Sequence, residues 1–206
     1  MTDLERALKR SAPSADATAA AAASRNMVER ATASGLVDLA YAVVPSPVGE
    51  LATVCSRRGL MCLSYDAERV DSLLDMLAEH VSPRIVESRA RFESVERELD
   101  EYFAGRREYF DLPLDWSLTR GFHRRVLRAT ARIPYGQAAT YTDVATRAGS
   151  PRAVRAAGNA LGRNPIPIIV PCHRVLRTGG GLGGYGGGLD RKRYLLDLES
   201  AHGAQP

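Results

Sequence analysis

The chain has 206 residues, 45% hydrophobic and 25% charged, which suits one large or two small globular domains. No apolar run approaches the ~18 residues of a membrane-spanning helix, and the alanine-rich N-terminus does not read as a secretion signal. The net charge of +4 is divided unevenly: residues 117–206 hold 14 Lys+Arg against 4 Asp+Glu, and residues 1–116 hold 14 against 20. The basic C-terminal part therefore suits a polyanionic partner.

Three cysteines, Cys55, Cys62 and Cys172, are too few and too scattered for a disulfide framework. Without a secretion signal they read as free thiols in a reducing, cytoplasmic compartment. Cys55 and Cys62 lie in an apolar stretch and read as buried structural thiols. No cysteine–histidine spacing suggests zinc, so neither a metal nor a cofactor is expected.

Residues 1–36 include SAPSADATAAAAAS. Alanine favours local helix, but few side chains here could pack against a core. The segment reads as a flexible extension with transient helix. Residues 37–110 read as an α+β domain. Its short β-prone runs are punctuated by Pro-Ser-Pro and Arg-Arg-Gly, the pattern of a small antiparallel sheet. Val70, Leu73, Leu74 and Leu77 then recur at helical spacing, Ile85 and Val86 suggest a further strand, and Phe92, Val95, Leu99, Tyr102 and Phe103 mark a second helix that Gly105 ends. Residues 111–119, DLPLDWSLT, read as a linker.

Residues 120–206 differ in character. Phe122, Val126 and Leu127 predict a helix that stops before IPYG. In TYTDVATRAG, Thr140 and Asp143 have capping-box spacing, and Gly149 lies past the helix end. In SPRAVRAAGNALG, Ser150 is a suitable N-cap and Pro151 a suitable first helical residue. Two short helices joined by a tight turn outline a helix-turn-helix. The second carries Ala153, Ala156, Ala157, Gly158 and Ala160 among Arg152, Arg155 and Arg163. So slim a face allows either close packing on another helix or close approach to a narrow, minor groove.

Next comes NPIPIIVPCHRV, residues 164–175, which reads as a buried strand followed by adjacent Cys172 and His173. A free thiol has a pKa of ~8.5 and needs a base or a positive field before it can attack carbon. Adjacency alone does not supply one, because neighbours on a strand point to opposite faces. Pro171 suggests a break that brings both groups to one site.

These segments occur in order with the downstream GGYGGGLDRKRYLLDLE, and together they resemble the O6-alkylguanine-DNA alkyltransferases, the methylated-DNA–protein-cysteine methyltransferases. The specific likeness runs from about Phe122 to Glu199, and a looser one reaches back to Leu39. It implies an α+β fold, with a ribonuclease-H-like three-layer N-terminal domain and a helical, winged-helix-like C-terminal domain bearing the helix-turn-helix. It implies that Cys172 accepts the alkyl group, that His173 deprotonates it through a bridging water, and that Glu199 orients His173. Asn164 would brace the turn, and Tyr141 would rotate the target phosphate and donate to the base. Arg155 would fill the space left by the extruded base, while Tyr185, Gly186, Val175 and Pro167 would line its pocket. Arg152, Ser150, Ala153, Ala156 and Gly158 would complete the DNA-binding surface.

The implied partner is double-stranded DNA with alkylated bases, bound through the minor groove by a monomer; cooperative assembly on DNA and activity on O4-alkylthymine stay open. Gly186 stands where relatives often carry Ser or Ala, Leu127 replaces a common Trp, and the zinc ligands of some animal relatives have no counterpart. A non-catalytic helix-turn-helix lesion sensor or regulator is the competing reading, but it has no use for Cys172, His173 and Glu199 together. A cysteine hydrolase would need an oxyanion hole.

Overall fold

The computed structural model describes residues 22–23, 26–28 and 30–202. Most of the 1–36 extension, including residues 1–21, lies outside the described residues. Its described end is helical at residues 30–33, where Leu36 N donates to Ala31 O at 2.9 Å.

Strands β1 (Leu39–Val44), β2 (Leu51–Ser56), β3 (Gly59–Ser64) and β4 (Ile85–Glu87) form one sheet in the order β3-β2-β1-β4. The first three are antiparallel, and β4 joins β1 in parallel. Because side chains alternate along a strand, β1 sends Ala40, Ala42 and Val44 to one core and Leu39 to the other. Helix α1 (Val70–His80) covers the second face through Leu73 and Leu77. Helix α2 (Glu93–Phe103) covers the first with Val95, Leu99 and Tyr102, and the C-terminal helices continue that layer. The result is three layers, with the sheet in the middle.

The predicted linker is not a free tether. Leu60 N donates to Pro113 O at 2.8 Å, Asp115 N donates to Leu60 O at 2.9 Å, and Leu60 and Leu114 form a parallel bridge. Gly59 has φ +128, and a Cβ there would collide with the Pro113 carbonyl. Only glycine lets the segment lie this close to the sheet edge.

The C-terminal part contains α3 (Gly121–Thr130), α4 (Tyr141–Arg147), α5 (Val154–Gly162) and α6 (Leu189–His202), with a two-stranded ladder of β5 (Ala139–Thr140) and β6 (Val175–Leu176). The expected capping box of α4 is present: Asp143 N donates to Thr140 Oγ1 at 3.1 Å, and Thr140 N donates to Asp143 Oδ2 at 2.8 Å. The expected start of α5 is not. Ser150 does not cap it; α5 begins at Val154, with Ala153 as N-cap. Ser150 O instead accepts from Ala153 N at 2.9 Å, so residues 150–153 close a turn before the helix begins.

Residues 164–170 form no strand. They run through bends and turns, because Pro165 and Pro167 lack ladder donors. Ile168 has φ 72, the only positive φ at a non-glycine among the described residues. A β-branched residue held there stores ~1–3 kcal/mol of strain, and the surrounding bonds must fix it.

Candidate active site

Asn164 supplies those bonds. Its Nδ2 donates to Val170 O at 2.8 Å and to Cys172 Sγ at 3.1 Å, while its Oδ1 accepts from Ile166 N at 3.1 Å. One side chain therefore ties both ends of the turn and also touches the thiol. Cys172 opens a single 3-10 turn, Cys172–Arg174, with Pro171 before it. That turn, rather than a strand, lets consecutive residues serve one site.

Cys172 is 6% exposed. Burial pushes its thiol up to about 11, against the opposing pull of the Asn164 hydrogen bond and the Lys192 charge. In the free protein desolvation outweighs both. Cys55 and Cys62 are also buried, and burial pushes both up to about 12.

His173 is fully buried, and its Nε2 lies 2.8 Å from Glu199 Oε1. A carboxylate can only accept, so Nε2 carries the proton and Nδ1 keeps its lone pair. Nδ1 is buried and makes no hydrogen bond to a protein group among the described residues. Burial lowers the His173 pKa below 6.5 against the pull of Glu199, so the imidazole is neutral and able to take a proton.

Glu199 is held more elaborately than its sequence position suggested. Arg174 donates from Nε to Oε2 at 2.9 Å and from Nη2 to Oε1 at 2.8 Å. Tyr102 donates to Oε1 at 2.7 Å, and Gly136 N donates to Oε2 at 3.2 Å. Burial alone would raise the Glu199 pKa, but the hydrogen bonds from His173 and Arg174 outweigh it and bring it down to about 2.

Sequence reasoning missed Arg174, Tyr102 and Lys192. Arg174 follows His173 directly, and a charge inside so apolar a stretch was the available signal. Lys192, Leu195 and Glu199 are the buried residues of α6. Their i, i+3, i+7 spacing places a lysine and a glutamate on a core-facing stripe. Lys192 Nζ donates to Val175 O at 2.6 Å and also to Leu182 O, fastening β6 to the glycine-rich loop. Tyr102 carried no local signal, because its partner is 97 residues away.

Cys172 lines two cavities. One, of about 690 Å³, is bordered by Tyr141, Arg155, Gly158, Arg177, Tyr185 and Gly186. The other, of about 220 Å³, is bordered by Tyr65, Asn164, Pro167, Tyr185 and Gly186 among others. The expected pocket residues Pro167, Tyr185 and Gly186 are thus at the site. Val175 is not: it is fully buried in the ladder opposite Ala139 and lines neither cavity.

Tyr141, the first residue of α4, reaches over the larger cavity and donates to Gly184 O at 3.4 Å. Arg155 and Ala156 on α5 and Arg152 in the turn before it are exposed, while Ser150, Ala153 and Gly158 are half-buried. Ala157 and Ala160 are buried in the core. The small residues therefore serve two faces. Ala157 and Ala160 allow close helix packing, and only Ala153, Ala156 and Gly158 remain on the open side. Among the described residues no cluster of His, Cys, Asp and Glu could hold a metal, and no helix is long and apolar enough to cross a membrane.

Comparison with known proteins gives one consistent answer. The family described as 6-O-methylguanine DNA methyltransferase, ribonuclease-like domain, matches residues 39–116, and its DNA binding domain matches residues 121–201. A methylated-DNA--protein-cysteine methyltransferase of Mycolicibacterium paratuberculosis is 42% identical over 79% of this chain and 93% of its own length. The protein of that name from Methanosarcina barkeri is 39% identical over 77% of this chain and 96% of its own. Among solved structures, Mycobacterium tuberculosis OGT in complex with DNA is 37% identical, covers 79% of this chain and 94% of its own, and superposes with a TM-score of 0.67. Two domain matches in the expected order, with relatives spanning both, place the chain in the 6-O-methylguanine DNA methyltransferase family.

Proposed function

We propose that the chain repairs O6-alkylguanine in double-stranded DNA by moving the alkyl group to its own Cys172, once per molecule. Its relatives are named for methyl transfer between methylated DNA and a protein cysteine. The observation that carries the assignment to Cys172 is its position at the junction of both cavities, beside Asn164 and next to the His173–Glu199 pair.

The geometry supports the following chemistry. Glu199 fixes the tautomer of His173, leaving Nδ1 to accept the thiol proton through a bridging water. The thiolate attacks the alkyl carbon opposite the guanine oxygen. The S–C bond forms as the C–O6 bond breaks, the electron pair leaves with the guanine, and the ring takes up one proton, so the exchange is proton-neutral. Burial keeps the Tyr141 hydroxyl protonated, so it can donate to the base as charge develops. The thioether product does not hydrolyse, and the protein is spent. With the thiol at about 11 in the free protein, deprotonation belongs to the DNA-bound reaction rather than to the resting state.

A base inside a duplex must be extruded first, at a cost of a few kcal/mol. Arg155 borders the same cavity as Cys172, which suits it to occupy the vacated stack. Exposed Arg152 and Arg163, flanking α5, are placed to contact phosphates, and the slim open side of the helix suits the minor groove. Titration with a duplex containing O6-methylguanine tests the proposal. One lesion should be reversed per protein molecule, with none after that; continued turnover would contradict it.

A further inference from the structure

The two cavities at Cys172 adjoin along Leu161, Gly162, Tyr185 and Gly186 and differ in their remaining walls. In line attack places the alkyl carbon between Sγ and O6, so any substituent on that carbon must lie off this axis. Tyr141 and Arg155 border the 690 Å³ cavity beside α4 and α5, which suits it to the base and leaves the 220 Å³ cavity for the substituent. Leu63, Ser64, Tyr65 and Asp66, from the end of β3 and just beyond, supply its N-terminal-domain wall. Behind them lies a separate recess of about 660 Å³, bordered by Glu50, Asp66, Glu68 and Arg191.

Four residues border both the small cavity and the recess: Tyr65, Asp66, Gly186 and Gly187. Only Tyr65 places a large side chain between them. Its hydroxyl lies 2.6 Å from the Tyr185 hydroxyl. The Arg191 guanidinium stacks 4.9 Å from its ring centroid, and is itself fixed by bonds from Nε to Val48 O at 2.8 Å and from Nη1 to Gly187 O at 3.0 Å. A Cβ on Gly187 would come within 2.5 Å of the Tyr65 ring. The ring is thus packed onto glycine backbone below, stacked on arginine and tied at its tip.

We infer that Tyr65, a residue of the N-terminal domain, is a specificity-determining wall that sets the largest alkyl group the site accepts. The inference rests on Cys172 as the acceptor. Removing the ring joins the small cavity to the recess and admits substituents that the parent excludes.

The test compares single-turnover rates on duplexes carrying O6-methylguanine or O6-(naphthylmethyl)guanine. Tyr65→Ala should raise the bulky-to-methyl rate ratio by ~10-fold or more, the scale on which pocket volume discriminates. Tyr65→Phe keeps the ring and should keep the parent ratio. If Tyr65→Ala does not fold, Tyr65→Leu makes the same comparison with a smaller increase. A merely structural role would slow both substrates in parallel, and an unchanged or lowered ratio in the truncated variant overturns the inference. Were the parent to transfer no methyl group, the acceptor reading would fail and this inference with it. Methyl transfer with an unchanged ratio removes the Tyr65 assignment alone.

Discussion

The Tyr102 hydroxyl donates to Glu199 Oε1 at 2.7 Å, and both side chains are buried. A residue of the N-terminal domain therefore holds the carboxylate that orients His173. Tyr102→Phe keeps the ring but removes a hydrogen bond to a charged acceptor. It should lose about 1.5–3 kcal/mol of stability in chemical denaturation and slow methyl transfer, because the imidazole is less firmly held. Parent stability and rate would mean that the two domains do not communicate through this bond.

Acid should unfold the protein in two stages. Burial holds His173 below 6.5, so as pH falls beneath that value the unfolded chain takes up a proton that the native state refuses. Glu199 sits near 2 rather than 4.5; its contribution is complete above pH 4.5 and is lost as pH falls toward 2. The denaturation midpoint should decline below pH 6.5 and again below 4.5, and Glu199→Gln should show a shallower second decline, with Asp38, Asp115 and Asp143, all held below 3.8, supplying the remainder. A midpoint constant from pH 7 to 3 would contradict both assignments.

Arg155 is exposed and borders the cavity of Cys172. Arg155→Ala should keep much of its affinity for DNA but repair a duplex ~10-fold or more slowly, since extrusion costs a few kcal/mol and each 1.4 kcal/mol is tenfold. Single-stranded substrate should be affected less. Repair of duplex at the parent rate would remove the residue from extrusion.

Two glycines of the same loop should respond in opposite ways. Gly183 has φ +67, and a Cβ there would meet the Tyr141 hydroxyl at 2.5 Å. Gly183→Ala should displace Tyr141 and lower the transfer rate. At Gly186 a Cβ would meet only Gly162 O, at 3.4 Å, so Gly186→Ser should fold and retain activity. Equal loss in single-turnover assays of both variants would show that the loop tolerates no side chain at either position.

Much of this was legible in the sequence because its signals are local. Hydrophobic period marked α1 and α2, the Thr140–Asp143 spacing marked the start of α4, and the Cys172–His173 pair marked the site. Ser150 misled, because a good capping residue can equally close a turn. The stretch NPIPIIV misled because its apolar content reads as strand, while its prolines and Asn164 dictate a braced turn. The alanines of α5 were read as one face, and the helix divides them between core and surface. The raised thiol pKa was hidden because burial is a property of the folded site. Tyr65 and Tyr102 were invisible as site residues because they come from the other domain.

The most direct test weighs one peptide. After reaction with a duplex containing O6-methylguanine, trypsin should release residues 164–174 heavier by one methyl group, with the peptides of Cys55 and Cys62 unchanged. Loss of the lesion with residues 164–174 unmodified, or a methyl group on either other cysteine, would contradict the assignment of Cys172 as acceptor.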